Sequence, residues 1–292
     1  MRPRTRRFAR IALLLAIPAV ALLARALLAP PPLIADTPVT LETTEFGHGP
    51  TIVFLHGLGG ARMGWMPVAR PLLAGHRIVL VDLPGHGESP LPDPFSIEAA
   101  AAALDAVLAR FAPDSTFLVA QGVGGIIALK DVQAHPGRVK GLVLVDVAVK
   151  STLPVTDQEK PQFLSFIDQN YDAFLKMMFV RMGRDSAQGV ALHAQAAQVP
   201  PATIKAYVRA LLSVDASSAL KELEPRLVLI ATGRFWPADK DWPTVAKLMG
   251  YDDPGAIAVE RIVSSGLVVA KDQPDSLAAL VSRFAATTLS PR

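Results

Sequence analysis

The chain has 292 residues, no cysteine, 29 basic and 26 acidic residues, and a hydrophobic fraction of 51%. Without cysteine there is no disulfide, no thiolate metal site and no cysteine nucleophile, and the length suits one large α/β domain with an ample core. The net charge of +3 is local: residues 1–35 hold six arginines (Arg2, Arg4, Arg6, Arg7, Arg10 and Arg25) and no acid, and the remaining 23 basic residues face 26 acidic ones, which excludes a nucleic-acid-binding reading.

The first element in chain order is a targeting segment, residues 1–29. Arg2 to Arg10 form a basic stretch, and Ile11 to Ala29 is apolar except for Arg25. That run is of marginal spanning length. It predicts a membrane contact through residues 11–29, with the body outside the cytoplasm by positive-inside logic. Cleavage near Ala26 and secretion is the alternative. Pro30-Pro31-Pro32 opens a stiff linker over residues 30–38.

The body begins with an alternating strand, Val39–Phe46, turned by Gly47-His48-Gly49-Pro50. Thr51–Leu55 is a short apolar strand followed by His56-Gly57-Leu58-Gly59-Gly60. Ala61–Leu73 is expected as a helix. Val79–Leu83 is a strand leading into Pro84-Gly85-His86-Gly87-Glu88-Ser89. Ser96–Phe111 reads as a helix with Ser96 at the N-cap. Thr116–Ala120 is a strand that runs through Gln121-Gly122-Val123-Gly124-Gly125 into a helical stretch, Ile126–Val132. Gly141–Val147 is the next strand. Between Lys150 and Glu222 the strand signal stops, and Pro161–Met182, Ala187–Val199 and Pro201–Val214 read as helices. Strands resume at Arg226–Ala231 and Ala258–Val263, and Asp275–Phe284 closes the chain as a helix. Apolar strands alternating with helices imply an α/β fold with a mostly parallel central sheet flanked by helices.

The motifs sharpen that reading. Ala120-Gln121-Gly122-Val123-Gly124, between a strand and a helix, has the frame of a nucleophile elbow. With the His56–Gly60 loop and the Pro84–Ser89 turn, in that order, the chain resembles the α/β-hydrolase family from about Thr51 to its C-terminus. The resemblance implies a core of residues 39–149 and 223–292 with a helical cap inserted at 150–222. It also implies a catalytic triad of nucleophile, acid and histidine. The elbow tip, however, is Gly122. The acid position in the G-x-x-D pattern after the late strand is Trp236, and the histidine position in the G-H segment is Leu267. His193 is the last histidine in the chain, so the C-terminal segment has none. A serine hydroxyl needs a base, and the base needs an orienting acid, so all three positions read as vacated.

The expectation is therefore a non-catalytic homologue, exported or membrane-tethered, that binds an apolar small molecule or a protein partner, with no metal and no cofactor. One alternative is an esterase-like hydrolase with relocated catalytic residues. Another is a structural domain with a collapsed pocket. The backbone amides of Leu58 and Val123 are expected to form an oxyanion-type anion site. His56, Gly57 and Gln121 line it, and Phe163, Phe166, Met177 and Met178 supply an adaptable apolar wall. His56, His86 and Asp82 are read first as supports of their loops. Asp146 follows a central strand but lacks a histidine to orient. Asp239 and Asp241 are candidates for a displaced acid.

Overall fold

The computed structural model describes residues 39–221, 226–253, 255 and 257–289. Among the described residues, seven strands form one sheet: β1 (Thr43–Phe46), β2 (Thr51–Leu55), β3 (Arg77–Val81), β4 (Thr116–Gln121), β5 (Gly141–Val145), β6 (Arg226–Thr232) and β7 (Ala258–Ile262). Their spatial order is β1-β3-β2-β4-β5-β6-β7. Only β1 runs antiparallel to its neighbour; every other pair is parallel.

Strands β2 and β5 are buried along their whole length. That is why they read as continuous apolar runs rather than alternations: both faces of a parallel sheet are covered. Successive side chains still point to opposite faces. Val53, Leu55, Leu118, Ala120, Leu142 and Leu144 pack into one core layer with the helices α2 (Ile97–Leu108) and α3 (Val123–Ala134), themselves preceded by the short α1 (Met66–Ala69). Ile52, Phe54, Phe117, Val119, Val143 and Val145 pack into the other layer, with Trp65, Leu277 and Val281.

Between β5 and β6 the described residues form four α-helices, α4 (Lys160–Gln169), α5 (Tyr171–Val180), α6 (Ser186–Ala196) and α7 (Pro201–Leu211). After β6 follow α8 (Trp242–Leu248), α9 (Val269–Asp272) and the closing α10 (Pro274–Leu289). Ser96 caps α2 as expected, its side chain accepting from the Ala99 N–H.

Three expected elements differ. Ala61–Leu73 is not one helix but a 3₁₀ turn, the single turn of α1, and a second 3₁₀ turn. Pro67 and Pro71 each lack the N–H that a continuous helical ladder would need there, so the ladder is interrupted. Pro161–Met182 is two helices, broken at Asn170, where φ is −130° and ψ is 40°. The first strand is only Thr43–Phe46, the part paired with β3.

The expected membrane anchoring is corrected. Among the described residues, no helix is long and apolar enough to cross a membrane. Residues 11–29 and the cleavage point near Ala26 lie outside the described residues. The membrane contact and the extracytoplasmic placement that rested on them are not carried forward.

Candidate functional site

The sheet order reverses direction at β2, with β3 on one side and β4 on the other. Open parallel sheets form a crevice beyond the strand ends at such a point, and here the loops after β2 and β4 meet. Strand β4 delivers Gln121, and α3 starts at Val123. The residue between them, Gly122, has φ 52° and ψ −122°. This left-handed conformation strains a residue with a Cβ and suits glycine. The Gly122 N–H donates to Val145 O at 3.1 Å, fixing the turn against β5. A Cβ built on Gly122 would meet nothing nearer than Gly57 Cα, at 3.9 Å. The elbow tip is thus open space.

The loop after β2 is a tight turn closed by Gly60 N–H donating to Gly57 O at 3.0 Å. Gly59 occupies its third position with φ 74°, as a type II turn requires. Two histidines hold this turn. The His56 Nδ1–H donates to Gly57 O at 2.8 Å, and Nε2 accepts from the Leu83 N–H at 3.0 Å. The His86 Nδ1–H donates to Pro84 O at 3.1 Å, and Nε2 accepts from the Gly59 N–H at 3.1 Å. Carbonyls only accept and amides only donate, so both tautomers are determined. Burial lowers the His56 pKa to about 4 and the His86 pKa to about 3. With every ring nitrogen occupied, neither imidazole is free to act as a base. Asp82 accepts from the Arg62 backbone N–H at 2.7 Å and pairs with the Arg62 guanidinium. All three residues therefore support their loops.

A cavity of about 400 Å³ opens at this crevice, which excludes a collapsed pocket. Leu58, Gly122 and Val123 line one end, and His56, Gly57 and Gln121 stand beside them. Among the described residues, neither the Leu58 nor the Val123 N–H has a partner. The Gln121 amide donates to Leu267 O, so Leu267 is brought to the elbow. Trp236 does not line the cavity: it stacks on Trp242 with centroids 5.2 Å apart, under the Arg261 guanidinium at 4.8 Å. Its neighbour Phe235 faces the cavity instead. Of the expected apolar wall only Met178 lines it. Phe166 and Met177 are exposed, and Phe163 packs into the helical cluster against Phe174. The wall is built from Phe174, Met178, Phe179, Met182 and Leu192.

The cavity also contains a buried carboxylate, Asp146, one residue past the end of β5. It is the one non-glycine residue with positive φ (48°) among those described. Its Oδ1 accepts from the Thr232 N–H at 2.8 Å, and its Oδ2 from the Thr232 hydroxyl at 2.8 Å. Burial raises its pKa to about 7, against the smaller opposing effect of the two bonds from Thr232. Strain, burial and a perturbed pKa at one crevice residue mark a functional candidate. Its place at a strand's C-terminal end was visible in the sequence; its strain and burial were not.

The other acids have local roles. Asp241 caps α8, accepting from the Thr244 N–H at 2.8 Å, and Asp239 is paired with Lys240 at 3.7 Å. Asp105, Asp131 and His135 lie together away from the crevice, but Arg138 Nε donates to Asp105 at 2.6 Å and already supplies a cation there.

Residues 50–211, more than half of the chain, match the family model described as the alpha/beta hydrolase fold. Among curated proteins, the chain is 34% identical over 113 residues to a pimeloyl-[acyl-carrier protein] methyl ester esterase of Pseudoalteromonas atlantica, covering 38% of this chain and 42% of that one. It is 40% identical over 107 residues to the protein of that name in Chromobacterium violaceum, covering 37% and 41%. The match to an sn-1-specific diacylglycerol lipase of Mus musculus is 34% over 107 residues, covering 36% and 35%. The alignments span about two fifths of the length of the first of these relatives. Among solved structures, a hydrolase from Oleispira antarctica superposes with a TM-score of 0.70 at 17% identity, covering 86% of this chain and 96% of that one. At that identity the likeness shows the fold alone. The reading of the chain as a non-catalytic binding protein is corrected by these comparisons, because the relatives it matches are named as esterases and a lipase. With this sheet order, this elbow and this family match, the chain belongs to the α/β hydrolase fold family.

Proposed function

We propose that the chain is an ester hydrolase whose working groups are not those of the usual serine, acid and histidine set. The observation that carries the reading is Asp146, a strained, buried carboxylate in the same cavity as the open elbow tip. The substrate class is a carboxylic ester with an apolar acyl or alkyl part, suited to the Phe174, Met178 and Leu192 wall. Residues 150–222 act as the cap over this site, and the named relatives support ester chemistry.

In this reading a water molecule takes the space above Gly122. The ester carbonyl oxygen lies toward the Leu58 and Val123 amides, which stabilise the charge it gains. Ionised Asp146 accepts a proton from the water as the water oxygen bonds to the carbonyl carbon. The C–O bond to the leaving alkoxide then breaks, and the proton passes from Asp146 to that oxygen. Acid and alcohol are the products. A pKa near 7 suits this role, because the base form is populated at neutral pH while retaining driving force. Gly122, Trp236 and Leu267 take no chemical part.

The test is a panel of p-nitrophenyl and methyl esters with purified wild type and Asp146→Asn. Asparagine keeps both partners, since its carbonyl can accept from the Thr232 N–H and its amide can donate to the hydroxyl. We expect kcat/KM to fall by about 10²–10³. An unchanged rate in Asp146→Asn would sink the proposal.

A further inference from the structure

Gln195 lies near the end of α6 and reaches across the crevice. Its Nε2 donates to Gly59 O at 3.0 Å, and its Oε1 accepts from the Lys271 ammonium at 3.1 Å. A carbonyl can only accept and an ammonium can only donate, so the orientation of this amide is unambiguous. Gly59 is thereby held from both sides, its N–H by His86 at 3.1 Å and its C=O by Gln195. Gly59 is the third residue of the turn whose second residue, Leu58, lines the cavity and has an N–H without a partner among the described residues. The same helix packs directly on the turn through Ala196, whose Cβ would lie 3.1 Å from a Cβ at Gly59, while the Phe179 ring of α5 would lie 2.6 Å from it. One turn pair back along α6, Gln188 Nε2 donates to Asp272 at 2.6 Å, and Asp272 accepts from the Gly266 N–H at 2.8 Å. The two glutamines thus tie one face of α6 to the glycine turn and to the loop that carries Leu267.

We infer that Gln195 is a positioning residue that sets the direction of the Leu58 amide by clamping the Gly59 carbonyl, so that the oxyanion site is complete only while α6 is seated. The inference rests on the ester-hydrolase reading for its kinetic consequence but not for its structural one. Displacing one preorganised donor lowers the rate of the chemical step while leaving ground-state binding nearly intact. The effect belongs to kcat rather than KM.

The test uses Gln195→Leu and Gln195→Glu in the full chain. Leucine keeps the packing volume but cannot donate. Glutamate keeps the Lys271 partner and turns an acceptor toward Gly59 O. Each is measured for kcat and KM on the best ester of the panel, for its thermal midpoint, and for butyrate affinity by calorimetry. We expect kcat to fall about tenfold or more in both, KM to stay within about twofold, the midpoint to stay within about 2 °C, and butyrate to bind severalfold more weakly. Unchanged kcat and butyrate affinity, or a raised KM at unchanged kcat, overturns the role. A wild type that hydrolyses no ester, yet loses butyrate affinity in both variants, sinks the ester reading and leaves the role of Gln195 standing. A wild type that neither hydrolyses an ester nor binds butyrate overturns both.

Discussion

Asp146 and Gly122 both line the cavity, and both have positive φ. For Asp146 the expected signature is a pH profile. Its carboxylate is the base, so kcat/KM should rise through a single ionisation near pH 7 and level off above it. A rate already at its plateau at pH 5 would assign the base to another group. For Gly122 the expectation concerns what a restored hydroxyl achieves. Gly122→Ser has room at the tip but must adopt a strained conformation, at a cost of roughly 1–3 kcal/mol. It gains no partner, because both nitrogens of His56, the cavity's histidine, are occupied. Labelling by a fluorophosphonate should therefore stay at background in this variant, as in the wild type. The glycine was plain in the sequence. Asp146 was visible too, but nothing local distinguished it from an ordinary strand-end acid, because burial and partners come from β6, 86 residues away.

At the scale of elements, α5 shows how a helix's face is decided. Phe174 and Met178, four residues apart, turn into the cavity, while Met177 points to solvent. The apolar cluster was legible, but its direction was not: the break at Asn170 turns α5 away from α4, and Phe166 on α4 is left exposed. Met178→Ala should enlarge the cavity by several methylenes without removing a main core residue. We expect the kcat/KM ratio of octanoate to butyrate p-nitrophenyl esters to rise by about tenfold, since a methylene in an apolar pocket is worth about 1–3 kcal/mol. An unaltered chain-length preference would place the acyl group elsewhere.

Across the whole molecule, buried groups of opposite kind set the response to pH. Asp146 keeps its proton up to about pH 7 when folded but releases it near 3.8 when unfolded. Its contribution to stability is therefore complete below about pH 4 and is lost as pH rises through 7. His56 and His86 act in the other sense. Both stay neutral in the fold down to about 4 and 3 but protonate near 6.5 in the unfolded chain, so their contribution is present above 6.5 and lost on acidification. Asp146→Asn removes the first effect alone. Relative to wild type, its stability in urea melts should improve by about 3 kcal/mol between pH 4.5 and pH 7.5. A difference that does not vary with pH would show that Asp146 is not buried with its proton.

By itself the sequence determined the α/β architecture. Parallel strands buried on both faces must be apolar runs, and the tight turns after β2 and β4 must carry glycine, so both signals lie in consecutive residues. It also determined that the elbow tip has no side chain and that the C-terminal segment has no histidine. The tertiary structure alone decided which of the remaining polar groups matter. It gave Asp146 its strain and raised pKa, turned Phe235 rather than Trp236 toward the cavity, and brought Gln195 onto the turn at Gly59. The contacts of Asp146 and Gln195 join segments 86 and 136 residues apart in the chain, and Trp236 is held by Trp242 and by Arg261 on β7, so in none of them does a local pattern carry the information.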